Sequence, residues 1–343
     1  MTSIIPCRPK IGLRHVAAPL AALLAVGFTS LAMAPAALGA TSSAGATAAT
    51  GAIATDTARI QSLLDRPASG RVNLPSGTFT VRPTLRLSHG ETITGHHTTL
   101  KIASHSGNYA AMLTGTTEAT DLSGLTITGV TFDQNSAGNP ITSVPGLYTG
   151  QPRFVLTIVF GSGITITGNR FINTNNVNTL VTGGATRYVK ISGNAFYATN
   201  SPSHDHSSIY TSGTSTVITG NSFAGVAMYN SAAIEVHGDR ATISGNLVRG
   251  YYRGANIVCT HTTFSHNTVL GAASPVSLWS VVAPGLSNVA VTNNTLNRDL
   301  PYWAGVLRQL GLPMPAARYT QKVIRQASST FPFSHITVRA NRG

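Results

Sequence analysis

Within Ala233-Ile234-Glu235-Val236-His237, the apolar Ile234 and Val236 alternate with Glu235 and His237. A strand of this pattern buries one face and presents the carboxylate and the imidazole side by side on the other. Tyr210, in Ser208-Ile209-Tyr210-Thr211-Ser212, points the same way by the same alternation. Asn256 follows in Ala255-Asn256-Ile257, and Trp279 belongs to the same face further on. Around this group lie a polar stretch, His204-Asp205-His206, the pair Asp239-Arg240, and the run Tyr251-Tyr252-Arg253, which can serve either packing or substrate binding.

These residue types support three chemistries. Hydrolysis of a glycosidic bond needs two carboxyl groups ~5 to 9.5 Å apart, and Glu235 with Asp205 or Asp239 is the pairing on offer. Lyase or epimerase chemistry needs a base for the proton beside a uronate carboxylate and a cation to neutralise that carboxylate. His237 or Tyr210 would then move the proton, and Arg253 or Arg240 would meet the carboxylate, with Asn256, Trp279, His204 and His206 lining the groove. The third option is a surface that binds glycan without acting on it. No cofactor is expected. A divalent cation held by His204, Asp205 and His206, with His237, is the one metal alternative, since imidazole and carboxylate suit several such ions.

What must position these side chains is a repeat. The phrases Ile166-Thr-Gly-Asn169-Arg-Phe171, Ile191-Ser-Gly-Asn194-Ala-Phe196 and Ile218-Thr-Gly-Asn221-Ser-Phe223 are followed by Ile243-Ser-Gly-Asn246-Leu-Val248, Phe264-Ser-His-Asn267-Thr-Val269 and Val291-Thr-Asn-Asn294-Thr-Leu296. The asparagines are 25, 27, 25, 21 and 27 residues apart. A period in the twenties marks a stacked-repeat architecture. Each phrase reads as a short strand, a turn at Gly-Asn, and re-entry into the core at Phe or Val. The asparagines are therefore scaffold, hydrogen-bonding along the stack. Counting back eleven residues from Asn221, Asn246 and Asn267 reaches Tyr210, Glu235 and Asn256, which fall on adjacent rungs ~4.8 Å apart.

The segment ahead of the repeats is more specific. Asp56-Thr-Ala-Arg-Ile60-Gln-Ser-Leu63-Leu64 has helical spacing, and Gly70-Arg-Val-Asn-Leu-Pro-Ser-Gly-Thr-Phe79 reads as strand, turn and strand. Such a helix would cover the open apolar end of the first rung. Together with Leu85-Arg-Leu-Ser-His-Gly-Glu-Thr-Ile-Thr-Gly95, this entry resembles that of the pectin-lyase-like right-handed parallel β-helix superfamily, and the later phrases resemble its generic repeat. The superfamily includes polygalacturonases, pectate lyases, alginate epimerases and phage tailspikes. The resemblance covers residues 55–296 and implies a fold, while its members' chemistries differ. The paired-Asp and Gly-His-Gly motifs of polygalacturonases are absent, Gly95-His96-His97 being no substitute, as is the Asp-Pro-His motif of alginate epimerases. No match to the calcium-binding carboxylates of pectate lyases is found.

The expected fold is all-β: a single-domain right-handed parallel β-helix with a short N-terminal capping helix and a partly helical C-terminal segment. Residues 1–40 read as a secretory signal peptide, with Arg8, Lys10 and Arg14 before an apolar run and small residues at 37–40. That run is at the short end of the ~20 residues a membrane span needs and contains Pro19. Residues 41–54 read as a flexible lead-in, 55–300 as the capped solenoid, and 301–343 as a terminal cap returning to a last rung. Within that cap, helices are expected over Pro301–Leu310 and Gln321–Ala327, and His335–Asn341 resembles one more repeat. A secreted, extracellular or cell-surface protein follows.

The chain carries 23 basic and 10 acidic residues, a formal net charge of +13. That balance favours an acidic polysaccharide. The absence of clustered Lys/Arg interleaved with aromatics disfavours nucleic acid. Of the two cysteines, Cys7 lies in the leader, so Cys259 has no intrachain partner in the mature protein and stability rests on the stacked core. The oligomeric state has no sequence signal.

Overall fold

The computed structural model describes residues 43–65, 70–107, 109, 111–117, 119–140, 154–175, 177–198, 206–281, 285–309, 311, 321–327 and 330–343. The expected leader, the pair His204 and Asp205, and much of the 134–154 insertion lie outside the described residues. The chain winds as a single parallel solenoid in which the strands of the described residues pair in parallel. Among the described residues no helix is long and apolar enough to cross a membrane.

Three strand faces enclose the core. One stacks Ile93, Ile127, Ile166, Ile191, Ile218, Ile243, Phe264 and Val291 in register. The second stacks Phe132, Phe171, Phe196 and Phe223, whose rings lie parallel at centroid spacings of 5.1, 4.8 and 4.9 Å. These spacings match the distance between paired strands, so ring stacking and sheet formation reinforce one another. The third stacks Leu113, Leu156, Leu180, Ile209, Ile234, Ala255 and Val276. All of these side chains are buried.

The repeat asparagines occupy the turn between the first two faces. Each backbone N–H donates to the next side-chain carbonyl, from Asn169 to Asn194, Asn221, Asn246, Asn267, Asn294 and Asn341, at 2.8–3.1 Å. Each amide nitrogen in turn donates to a strand carbonyl, as Asn221 Nδ2 does to Ile191 O at 2.9 Å. The tight turn depends on the preceding residue, which takes left-handed angles: glycines 168, 193, 220 and 245 at φ 63°, then His266 and Asn293.

The first helix, α1 (Ser43–Leu64), closes the N-terminal end. Ile60 and Leu64 cover the apolar first rung. Its polar side chains satisfy the open strand edge: Asp56 Oδ2 accepts from Thr80 N, Thr57 Oγ1 from Arg82 N, and Gln61 Oε1 from Arg86 N, each at 2.9 Å. The helix begins earlier than expected, and residues 43–54 are helical where a flexible lead-in was read; the Ala-rich run has high intrinsic helix propensity.

At the other end, α2 (Leu300–Gln309) falls where a helix was expected, with Asp299 Oδ1 accepting from Tyr302 N at 3.0 Å. The second expected helix is a strand. Val323–Ala327 pairs in parallel with Ser274–Ser280, because an open sheet edge overrides weak local helix spacing for Val323 and Ile324. The chain then returns to the ladder: Phe333–Arg339 pairs with Leu286–Thr292, and Asn341 takes the last place in the asparagine row.

Candidate active site

The third face carries most of the candidate side chains on its outer side. In parallel register Val181 lies opposite Tyr210, Tyr210 opposite Glu235, Glu235 opposite Asn256, and Asn256 opposite Ser277. Ile234 and Val236 are buried between Glu235 and its neighbours, so the pleat turns Glu235 and His237 outward together. Trp279 lies two residues beyond Ser277, which places it in the row of His237.

Glu235 is held from two sides. Ser207 Oγ donates to Oε2 at 2.6 Å, and His237 Nε2 lies 2.8 Å from Oε1. An ionised carboxylate only accepts, so Nε2 carries the hydrogen and the lone pair of a neutral His237 sits on Nδ1. The Tyr210 ring stacks on the imidazole, with centroids 4.9 Å apart and planes 30° from parallel. Burial works against a charge on Glu235. The hydrogen bond from His237, the charge its imidazole carries when protonated, the Ser207 hydroxyl and the Arg253 guanidinium outweigh it and hold the carboxyl below its usual range. Side-chain exposure of 24% for His237 and 12% for Glu235 leaves the imidazole as the member of the pair more open to a ligand.

Arg253 completes one wall. Its guanidinium carbon lies 5.3 Å over the ring of Tyr252 and 5.3 Å over that of Trp279, between two aromatic faces. Asn256 is 3% exposed, and its Oδ1 makes no hydrogen bond. A buried acceptor left without a donor is costly, and this one stands beside the Glu235 carboxylate.

Other candidates are placed differently. His206 is buried, with Nε2 3.4 Å from Ser208 Oγ, and Ser208 Oγ is 2.6 Å from the Tyr251 hydroxyl. It belongs to an interior polar chain and not to the groove surface. Burial raises the Tyr251 hydroxyl well above the usual tyrosine range, so it stays protonated. Asp239 and Arg240 form a separate turn cluster. Asp239 Oδ1 accepts from Thr260 Oγ1 at 2.7 Å and lies 2.9 Å from His261 Nδ1, while Asn288 Nδ2 is 3.2 Å from His261 Nε2. Arg240 Nε is 3.8 Å from Asp239 Oδ2. Both His261 nitrogens are thus engaged in stitching neighbouring rungs. Among the described residues the one carboxyl held above its usual range, chiefly by burial, is Glu91, beside His89 near α1. Among the described residues no group of three or more His, Cys, Asp or Glu side chains is arranged to hold a metal ion.

One contributor and one contact escaped sequence reasoning. Ser207 shares the parity of buried Ile209, so alternation hides a hydroxyl that nonetheless reaches Glu235 from the strand's start. Tyr252 is packed behind Arg253 by Trp303 of α2, a contact between segments far apart in the chain.

No protein-family model matches the chain, and no curated protein matches it. Among solved structures it is similar to the A-module of mannuronan C-5 epimerase AlgE4 from Azotobacter vinelandii, at 16% identity and a TM-score of 0.44, over 70% of this chain and 73% of that one. It is also similar to the A-module of mannuronan C-5 epimerase AlgE6 from the same organism, at 13% identity and a TM-score of 0.42, over 70% and 72%. By the register of its own strands the chain is a parallel β-helix.

Proposed function

We propose that this face modifies an acidic, uronate-bearing polysaccharide by abstracting the proton next to the sugar carboxylate. The observation that carries the reading is the Glu235–His237 pair at 2.8 Å, with the Tyr210 ring against the imidazole. Glu235 fixes the hydrogen on Nε2 and leaves Nδ1 of His237 to take the substrate proton. Arg253, whose charge already acts on Glu235, neutralises the carboxylate as negative charge builds on it. Tyr210 supplies the second proton-handling group. If it protonates the glycosidic oxygen the outcome is cleavage by elimination; if it reprotonates the sugar carbon from the other face the outcome is epimerisation.

Hydrolysis fits less well. Glu235 is held ionised where a general acid should be held protonated. Of the two carboxylates considered as its partner, Asp205 lies outside the described residues and Asp239 is engaged by Thr260 and His261. The chain's net charge of +13 supports an anionic polymer over a neutral one.

The test is to incubate the protein with oligomers of galacturonate, mannuronate and guluronate, and with neutral glycans, in deuterated water. Deuterium uptake at the carbon beside the carboxylate is expected, together with unsaturated-uronate absorbance if the reaction eliminates. His237→Ala is expected to lower either signal by about 10²-fold or more. Retained binding with no exchange and no absorbance on any substrate would leave a glycan-binding surface and sink the catalytic reading.

A further inference from the structure

We infer that α2 builds one wall of this site, and that Trp303 is a positioning residue for Arg253, acting through Tyr252. The inference rests on the reading that Arg253 meets an anionic sugar, but its first test does not.

The solenoid core is continuous without α2. Tyr252, Ala273, Trp303 and Leu307 form a separate apolar cluster outside it, with Val306 packed alongside. Trp303 is 1% exposed, and its Nε1 donates to Gly271 O at 2.8 Å, which fixes the indole against the corner of the ladder. The Tyr252 ring meets it edge to face, 5.3 Å away with planes at 89°. The Tyr252 ring also carries the Arg253 guanidinium, 5.3 Å over its centroid and 5.3 Å over that of Trp279. The row therefore runs Trp303, Tyr252, Arg253, Trp279. A guanidinium on a flexible stem loses rotamer freedom when it is held in one place, and two aromatic faces offset that loss by direct attraction. One of those faces, Tyr252, is itself held by the helix. Positioning of this kind matters because a cation displaced by about an ångström no longer matches a reacting carboxylate.

The chain has two tryptophans, Trp279 and Trp303. Substituting Trp303 leaves Trp279 as the sole indole, so its emission reports the guanidinium on its face. In the full chain, Trp303→Phe keeps an aromatic edge against Tyr252, whereas Trp303→Leu does not. Adding Arg253→Ala is expected to shift Trp279 emission in the Trp303→Phe protein and to leave it nearly unchanged in the Trp303→Leu protein, where the guanidinium has already left. An equal shift in both backgrounds would overturn the inference. Should Trp303→Leu fail to fold, Tyr252→Leu within Trp303→Phe removes the same face, and Arg253→Ala must then again be silent.

The second measurement reads substrate class. Trp303→Leu and Arg253→Ala are each expected to weaken binding of oligogalacturonate and oligomannuronate several-fold to tenfold, with neutral oligosaccharides unaffected and Trp303→Phe close to the parent. If the fluorescence cycle behaves as expected but no acidic oligomer binds, the uronate reading fails while the positioning of Arg253 stands.

Discussion

Glu235 shows how a residue's surroundings decide its chemistry. A carboxylate set among apolar strand residues would resist ionisation, and burial pushes Glu235 that way. Two donors, Ser207 Oγ and His237 Nε2, and the nearby Arg253 reverse the outcome. The sign of the linkage follows. A carboxyl whose folded value lies below its unfolded value stabilises the fold above the unfolded pKa, about 4.3 for Glu, and that contribution is lost as pH falls through the lowered folded value. Glu235→Gln keeps the shape and removes the charge. It is expected to be less stable than the parent at neutral pH, with the gap closing in acid, as read from urea midpoints across that range. The same variant is expected to lose about 10²-fold in deuterium uptake, because its amide no longer fixes the imidazole as a carboxylate does. A gap that stays constant from neutral pH into acid would mean the carboxylate is not held by these partners.

At the scale of elements, the asparagine turns and the α1 cap carry the architecture. Asn221 is buried and central: Asn194 N donates to its Oδ1 at 2.9 Å, and its Nδ2 donates to Ile191 O at 2.9 Å. Asn221→Ala leaves the Asn194 N–H without an acceptor inside the stack and is expected to cost about 3 kcal/mol of unfolding free energy. Asn341→Ala, at the half-exposed end of the row, is expected to cost distinctly less; equal losses by denaturant titration would contradict the ladder as the source of stability. This ladder was legible in the sequence because period and turn chemistry are local signals. So was the row of Tyr210, Glu235 and Asn256, since a strict alternation and a fixed count from each Asn determine which rung and which face a residue occupies. What stayed hidden depends on pairing between distant segments. The strand Val323–Ala327 forms only because Ser274–Ser280 offers it an edge. The Trp303–Tyr252 contact joins a helix to a corner of the ladder that no periodicity connects, and Ser207 reaches Glu235 against its own parity.

A parallel solenoid has two ends, and each leaves a row of backbone groups that can pair with another chain. This protein treats its ends differently. At the N-terminus α1 covers the rung with Ile60 and Leu64 and engages the edge with Asp56, Thr57 and Gln61. At the C-terminus the strand Phe333–Arg339 is largely exposed, and Lys322, Arg325 and Arg339 line a cavity of about 890 Å³ beside it. Two copies meeting there would bring like charges together, a recognised way to blunt an edge. The N-terminal device acts through short hydrogen bonds, one of them to the Asp56 carboxylate, and not through repulsion between copies, so it should depend little on salt. Replacing Asp56, Thr57 and Gln61 together by Ala keeps the apolar cover of α1 but strips the acceptors from the Thr80, Arg82 and Arg86 N–H groups. The triple variant is expected to form larger species with rising concentration in sedimentation velocity, equally at low and high salt. Arg325→Ala with Arg339→Ala is expected to associate through the other end, and the parent should approach that behaviour as salt screens its charges within about 10 Å at 0.1 M. A triple variant that sediments as the parent does at every concentration would show that apolar cover alone protects the first rung.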